Sequence, residues 1–267
     1  MFFEPAQSQF DLKFWLFGIH VRVHPGFWLM SLFMGWSAMN EGFAFLLLWV
    51  ACVFVSILVH EMGHVLVGLL FGSHGHIVLY SFGGLAVGSN QLDGRWKRIA
   101  VSFGGPAAGF CLAAVVLAIS HFDVIPASGN PQVNELVQDA IWNLLWINIF
   151  WGIMNLLPVF PLDGGQISRE FWEMGSRRHG FVYCLRLSIA VSAIVAIHAV
   201  LKLISARTNG SFAYPLNFLP GGLWTAILFG SLAAGAYQTL VAHQQMNEHW
   251  DDQYDEWERD ERDRWER

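Results

Sequence analysis

Long apolar runs separated by short polar turns dominate the chain. A helix needs roughly 20 apolar residues to cross the hydrocarbon core of a bilayer, so runs near that length predict membrane-spanning helices. Clusters of Gly, Pro, Asn and Ser between the runs predict turns. Six such runs lie at about 25–40, 43–63, 99–120, 138–160, 181–204 and 221–242. The pattern therefore predicts an all-α polytopic membrane protein with about six transmembrane helices.

Two short segments have the period of a strand instead. Apolar and polar residues alternate in 19–23, and the run 77–80 leads through Gly83 and Gly84 into 85–87. We expect a small β-hairpin or sheet at the membrane surface. Because an exposed strand can pair with an extended peptide, Gly83 and Gly84 are candidate substrate contacts.

Charge divides the chain into two parts. Residues 248–267 hold ten acids and four Arg, which leaves eleven residues of each sign elsewhere. In this tail each Arg follows an acid by four residues, a spacing that favours a solvated helix. Four aromatic residues fall near one face, suited to docking on the core, a second copy or a regulatory partner: Trp250, Tyr254, Trp257 and Trp265. The alternative is a frayed charged helix that only aids solubility. We expect a transmembrane domain at 1–247, with its core at about 43–165, and a charged cytoplasmic tail at 248–267.

The composition supports a multi-pass membrane protein. Hydrophobic residues make up 54% of the chain and charged residues 13%, and the mean hydropathy is +0.41. An ordinary soluble domain is less apolar, so most of the surface is expected to face the lipid bilayer. The membrane part is formally neutral, and no nucleic-acid partner is expected.

Lys and Arg predict the orientation, because they gather in cytoplasmic loops. With six spans, the basic groups fall on one side, which places both termini in the cytoplasm of a cell membrane. The residues concerned are Lys13, Arg22, Arg95, Lys97, Arg98, Arg169, Arg177, Arg178 and the four Arg of the tail.

The second apolar run contains the pattern H-E-x-x-H at His60, Glu61 and His64. Two imidazoles four residues apart lie on one face of a helix and can share a zinc ion, and the Glu between them can act as general base. Ionisable groups in a spanning helix are costly, so they indicate a functional site. Glu61 is the candidate catalytic residue.

A catalytic zinc ion usually has three protein ligands, so a third is needed. Asp163 ends the sequence Asn-Leu-Leu-Pro-Val-Phe-Pro-Leu-Asp, which starts at Asn155 near the cytoplasmic end of the fourth run. The predicted topology places it on the same membrane face as His60 and His64. We therefore expect one Zn²⁺ per chain, bound by His60, His64 and Asp163.

These motifs resemble the site-2 protease family of intramembrane zinc metalloproteases, in its bacterial sporulation-protease-like branch. The matching segments are HEMGH, FGG, GGPAAG and NLLPVFPLDGG, at 60–64, 82–84, 104–109 and 155–165. The resemblance implies a three-helix catalytic core with the metal and catalytic roles given above. It also implies substrate handling by Asn155 and Pro158. Gly109 stands where many relatives have Asn, and the PDZ and CBS domains of some relatives are not expected here.

The function implied is a zinc-dependent endopeptidase that cuts membrane-anchored proteins within or near their transmembrane segments. Two alternatives stay open at this point. The first is a zinc-binding membrane protein without proteolysis, such as a transporter or an inactive scaffold. The second is another type of membrane zinc peptidase, in which a downstream Glu replaces the Asp ligand. Because the ionisable groups concentrate near one face and Glu61 is present, catalysis is favoured.

Overall fold

The computed structural model describes residues 4–81, 83–176, 179–208 and 222–265. Contacts within the chain divide it into two units, residues 1–157 and residues 158–267. Phe82 of the second motif, the predicted cytoplasmic charges Arg177 and Arg178, and the side chains of the tail lie outside the described residues.

The first unit contains a four-stranded sheet in the order β1-β2-β3-β4. Its strands are β1 (Leu12–Leu16), β2 (Ile19–Val23), β3 (His76–Tyr80) and β4 (Gly83–Val87). β2 is antiparallel to β1 and parallel to β3, and β4 is antiparallel to β3. The predicted small sheet is confirmed, with β1 as an additional strand, and β4 is one of its two edges.

The sheet packs against a long helix. That helix, α2 (Phe43–Leu70), has 28 residues and is about 42 Å long at ~1.5 Å per residue. The apolar side chains of β2 and β3 pack on its apolar residues and are fully or almost fully buried: Ile19, Val21, Val23, Ile77 and Leu79. This packing holds the sheet beside the helix that carries the H-E-x-x-H pattern.

The other helices of the first unit surround α2. The short helix α1 (Pro25–Met34) precedes it, and α3 (Arg95–His121) packs along it. A further helix, α4 (Pro131–Trp146), continues through the π-helical turn Ile147–Trp151 into α5 (Gly152–Asn155). The sheet, α2, α3 and the α4–α5 helix form the frame of the site.

The second unit is helical, with α6 (Asp163–Gly175), α7 (Gly180–Thr208) and α8 (Leu223–Trp265). Leu185 of α7 forms a buried cluster with Ala236 and Leu240 of α8. The backbone of α8 runs on as a helix through most of the charged segment that begins at residue 248.

Within the described part of the chain, four helices are long and apolar enough to cross a membrane: Phe43–Leu70, Arg95–His121, Gly180–Ser205 and Leu223–Met246. They coincide with four of the six predicted spans, so the predicted helical membrane class is confirmed. The first predicted span is a helix of 10 residues followed by a 3-10 turn, Trp36–Asn40. The fourth falls on the helix with the π turn. The count of six stays a prediction.

Candidate metal centre

His60 and His64 lie one turn apart on α2 and are buried, with 6% and 7% of their surfaces exposed. Their Nε2 atoms are 3.2 Å apart. With Zn–N bonds of about 2.0–2.1 Å, two ligands of a tetrahedral zinc ion lie about 3.3 Å apart. The spacing of the two nitrogens therefore fits a shared zinc ion.

A carbonyl of α3 orients the second imidazole. His64 Nδ1 lies 2.7 Å from the carbonyl oxygen of Val101. A carbonyl only accepts hydrogen bonds, so Nδ1 donates, and Nε2 keeps its lone pair for a metal. Zinc-binding histidines typically donate their other ring N–H in this way.

Helix α3 comes unusually close to the two histidines at Gly105. A β-carbon on Gly105 would overlap the His64 ring and would lie 2.7 Å from His60 Nε2. The backbones also meet at Gly63 and Gly104, where a β-carbon on Gly104 would lie 2.8 Å from the Gly63 carbonyl oxygen. Glycine at these positions lets α3 form one wall of the site.

The sequence assigned no role to these glycines, although 104–109 belongs to a recognised motif. Small residues in apolar helices commonly mark close helix contacts in membranes, so these glycines indicate that α3 packs closely against another helix. It does not indicate that Gly105 faces the imidazoles, because that depends on the rotation of α3 about its axis.

Glu61 is also buried, with 6% of its surface exposed. Its side chain lies against Gly84 of β4, where a β-carbon would lie 2.5 Å from Oε1 and 2.6 Å from Cδ. Gly83, which precedes Gly84, has a φ of +127° and faces the Trp151 ring at van der Waals distance. The edge strand thus passes directly beside the candidate base.

Tyr80 ends β3 and pairs with Gly83 in the sheet register. Burial, and to a smaller extent the charge of Glu61, raise the pKa of its phenol to about 12. The phenol is therefore neutral at physiological pH.

The third expected ligand, Asp163, is the first residue of α6, where a helix N-terminus favours an acidic side chain. His60 and His64 belong to the first unit and Asp163 to the second. Two imidazole nitrogens and one carboxylate oxygen form a donor set of catalytic zinc sites.

Comparison with known proteins agrees with this chemistry. The model of Peptidase family M50 matches residues 123–201. Zinc metalloprotease MJ0392 of Methanocaldococcus jannaschii is 28% identical over 186 residues, 69% of this chain and 51% of that protein. Rip3 of Mycobacterium tuberculosis is 29% identical over 195 residues, 72% of this chain and 46% of that protein. The chain is thus similar to zinc metalloproteases of Peptidase family M50.

The fold of the chain is similar to that of a solved structure. The structure of a site-2 protease from Methanocaldococcus jannaschii has a TM-score of 0.54 and 24% identity, and covers 86% of this chain and 95% of that chain. The chain spans about half the length of the relatives it matches. The spacing of the two imidazoles fits zinc, and the matched relatives are named as zinc metalloproteases, so zinc is the metal of this centre.

The remaining predicted site residues lie around the end of α5. Asn155 is its last residue and is buried, whereas Pro158 is half-buried in the turn that follows. Their roles in substrate handling stay predictions.

Arg22, one of the basic residues that predict the orientation, is buried, with 2% of its surface exposed. Its guanidinium pairs with Glu4 Oε1 at 2.7 Å and with Asp11 Oδ2 at 2.9 Å. Arg22 therefore anchors the N-terminal segment to the sheet.

Proposed function

We propose that this protein is a zinc-dependent intramembrane endopeptidase that hydrolyses peptide bonds within or near the transmembrane segments of membrane-anchored proteins. The observation that carries the proposal is the 3.2 Å spacing of the His60 and His64 Nε2 atoms on an apolar helix, next to the buried carboxylate of Glu61. Asp163, the first residue of α6, is the proposed third ligand, supported by its sequence motif and by the preference of catalytic zinc for two imidazoles and a carboxylate.

The chain's own residues have separate tasks in hydrolysis. A zinc ion bound there supplies Lewis acidity, which polarises a scissile carbonyl and lowers the pKa of water toward about 7. Glu61 accepts a proton from the attacking water at a carboxylate oxygen and returns it to the leaving amine. The Val101 carbonyl keeps His64 in the required tautomer.

Substrate is proposed to bind as an extended strand along β4. A transmembrane helix shields its peptide bonds in internal hydrogen bonds, so it must unwind locally before hydrolysis. The free edge of β4 offers backbone groups that an unwound segment can pair with. Gly83 and Gly84 present no side chains there, so a backbone can approach Glu61 closely. Asn155 and Pro158 are the further proposed substrate contacts.

The experiment compares membrane proteins from cells that carry the wild-type chain or Glu61→Gln. We expect fragments that end inside a spanning segment only with the wild type, and a rate about 10²–10⁴-fold lower for the variant, the usual size of general acid–base catalysis. Both proteins should bind zinc equally, because Gln keeps the shape of the side chain. Equal cleavage by both proteins would remove Glu61 from the mechanism.

Metal removal is the second test. Stripping zinc with a chelator should abolish cleavage, and adding zinc back should restore it. A purified wild-type protein that carries zinc but releases no fragments would favour the alternative of a zinc-binding protein without proteolysis.

We also propose that the protein lies in the cell membrane with both termini in the cytoplasm. The support is the distribution of Lys and Arg along the chain. Of the two basic residues near the N-terminus, Lys13 lies on the exposed strand β1 and Arg22 is held in ion pairs. A cysteine at Asn130, in a chain whose native cysteines are replaced by Ala, should react with a reagent that does not cross the membrane. Labelling at that position only after the membrane is opened would reverse the orientation.

The tail, residues 248–267, is proposed to dock on a regulatory partner or on a second copy of the chain. The support is the spacing of its aromatic residues, which fall near one face of the predicted helix. Deletion of the tail should change the regulation or the oligomeric state of the enzyme without changing its zinc content. An unchanged mass in detergent and unchanged cleavage in cells would contradict both forms of this proposal.

A further inference from the structure

A small cavity lies in the first unit between α2, α3 and the α4–α5 helix. Its volume is about 10 Å³. Apolar residues and Gly109 form much of its wall, and three polar residues also line it: Ser56, His60 and Asn148. A cavity that admits about one water-sized sphere can hold one water molecule if two to four polar groups surround it.

Asn148 provides a hydrogen-bond acceptor to this cavity. The residue is 3% exposed, and its Nδ2 donates to the Leu144 carbonyl oxygen at 2.8 Å and to Ser56 Oγ at 2.9 Å. Because the Leu144 carbonyl can only accept, the orientation of the amide is settled by chemistry. Its Oδ1 therefore points the other way, toward Gly109, where a β-carbon would lie 3.4 Å from it.

Ser56 provides a donor. Its Oγ accepts the hydrogen bond from Asn148, so its own O–H proton is available to a group in the cavity. Ser56 stands four residues before His60 on α2, and residues at this spacing are neighbours on one face of a helix. The serine hydroxyl and the zinc-ligand ring thus share a face.

Two backbone features make the space. Asn148 belongs to the π-helical turn Ile147–Trp151, and such turns are frequent at functional sites. Gly109 of α3 has no side chain to fill the volume in front of Asn148 Oδ1. Gly109 and Asn148 line the same cavity as His60.

We propose that this cavity holds one ordered water molecule, which accepts from the Ser56 hydroxyl, donates to Asn148 Oδ1 and contacts the His60 imidazole. Ser56 and Asn148 are then positioning residues that fix the His60 ring for zinc. The inference rests on the proposed zinc site. Partners of this kind around metal ligands typically change metal affinity by about 10–100-fold when they are removed.

The sharpest variant is Gly109→Ala. Its added methyl group would occupy the cavity at an ordinary distance from Asn148, and Ala is the better helix former by roughly 0.8–1.0 kcal/mol. We expect a fold at least as stable as that of the wild type, with zinc affinity about 10–100-fold lower. The matched control is Gly230→Ala in α8, where a β-carbon would meet no atom within 4 Å.

Two further variants test the hydrogen bonds. Ser56→Ala and Asn148→Leu should each weaken zinc binding, whereas Ser56→Thr keeps the hydroxyl and should retain it. Asn143→Leu on the same helix is the control, because Asn143 bonds to Asp139 instead. The measurements are the zinc dissociation constant by chelator competition in detergent and the absorption spectrum of the Co²⁺-substituted protein, which reports ligand geometry.

The outcomes separate this inference from the proposed function. Weaker zinc binding and an altered cobalt spectrum in Gly109→Ala, Ser56→Ala and Asn148→Leu, but not in the controls, would support it. Wild-type affinity and spectrum in all three would overturn it and leave the zinc site intact. A wild-type chain that binds no zinc would overturn both.

Discussion

The backbone of Gly84 lies against the side chain of Glu61, so closely that a β-carbon on Gly84 would lie 2.5 Å from Glu61 Oε1. Gly84 belongs to the edge strand β4, and Glu61 is buried on α2. The packing of the sheet on α2 brings the two residues together. The edge of the sheet and the candidate base are therefore parts of one site.

Gly84→Ala should lower cleavage while leaving zinc in place. The methyl group would displace the Glu61 carboxylate, and misplacing a catalytic group by 1 Å can cost about 10²-fold in rate. The measurement is the cleavage rate together with zinc content. Gly129→Ala is the control, because a β-carbon there would meet no atom within 4 Å. Wild-type cleavage by Gly84→Ala would contradict the proposed contact.

Gly105→Ala, in contrast to Gly84→Ala, should lose zinc. A β-carbon there would overlap His64 and lie 2.7 Å from His60 Nε2, so the imidazoles or α3 must move. We expect zinc affinity to fall by about 100-fold or more, at the upper end of the effects seen around metal ligands. Chelator competition measures this. Zinc binding at wild-type strength would show that α3 can withdraw without disturbing the ligands.

Arg22→Ala should destabilise the first unit. The substitution leaves the buried carboxylate of Asp11 without its cation, and breaking a buried ion pair typically costs about 3–5 kcal/mol. The measurement is the thermal unfolding midpoint in detergent. Lys13→Ala is the matched control, because Lys13 faces Arg22 in the register and bonds only to an exposed Gln7. Equal midpoints for the two variants would contradict the anchoring role.

Tyr80 should titrate only at high pH. Its pKa is raised from 10.0 to about 12, chiefly by burial. Because the folded state holds this proton more tightly than the unfolded state, the free energy of unfolding keeps its full value below pH 10 and falls as the pH rises toward about 12. The difference in tyrosinate absorbance between the wild type and Tyr80→Phe measures the pKa. A midpoint near 10 would show that Tyr80 is exposed.

Local patterns in the chain were sufficient to predict the helices and strands, but not the contacts that their side chains make. The alternation in 19–23 predicts a buried face, and Ile19, Val21 and Val23 are buried. Arg22 was counted only among the basic residues that predict the cytoplasmic side, and its ion pairs with Glu4 and Asp11, 18 and 11 residues away, were not predicted. No periodicity over a few residues can indicate such a pair.

The amino-acid sequence by itself determined the membrane class, the small sheet and the pairing of His60 with His64. All three follow from short-range geometry, namely the length of an apolar helix, the period of a strand and the i, i+4 spacing on a helical face. Only the tertiary structure decided that Gly84 meets Glu61, that Gly105 meets the imidazoles and that Asn148 reaches Ser56, 92 residues away. These contacts depend on how the helices rotate and approach one another, which is set by packing across the whole unit.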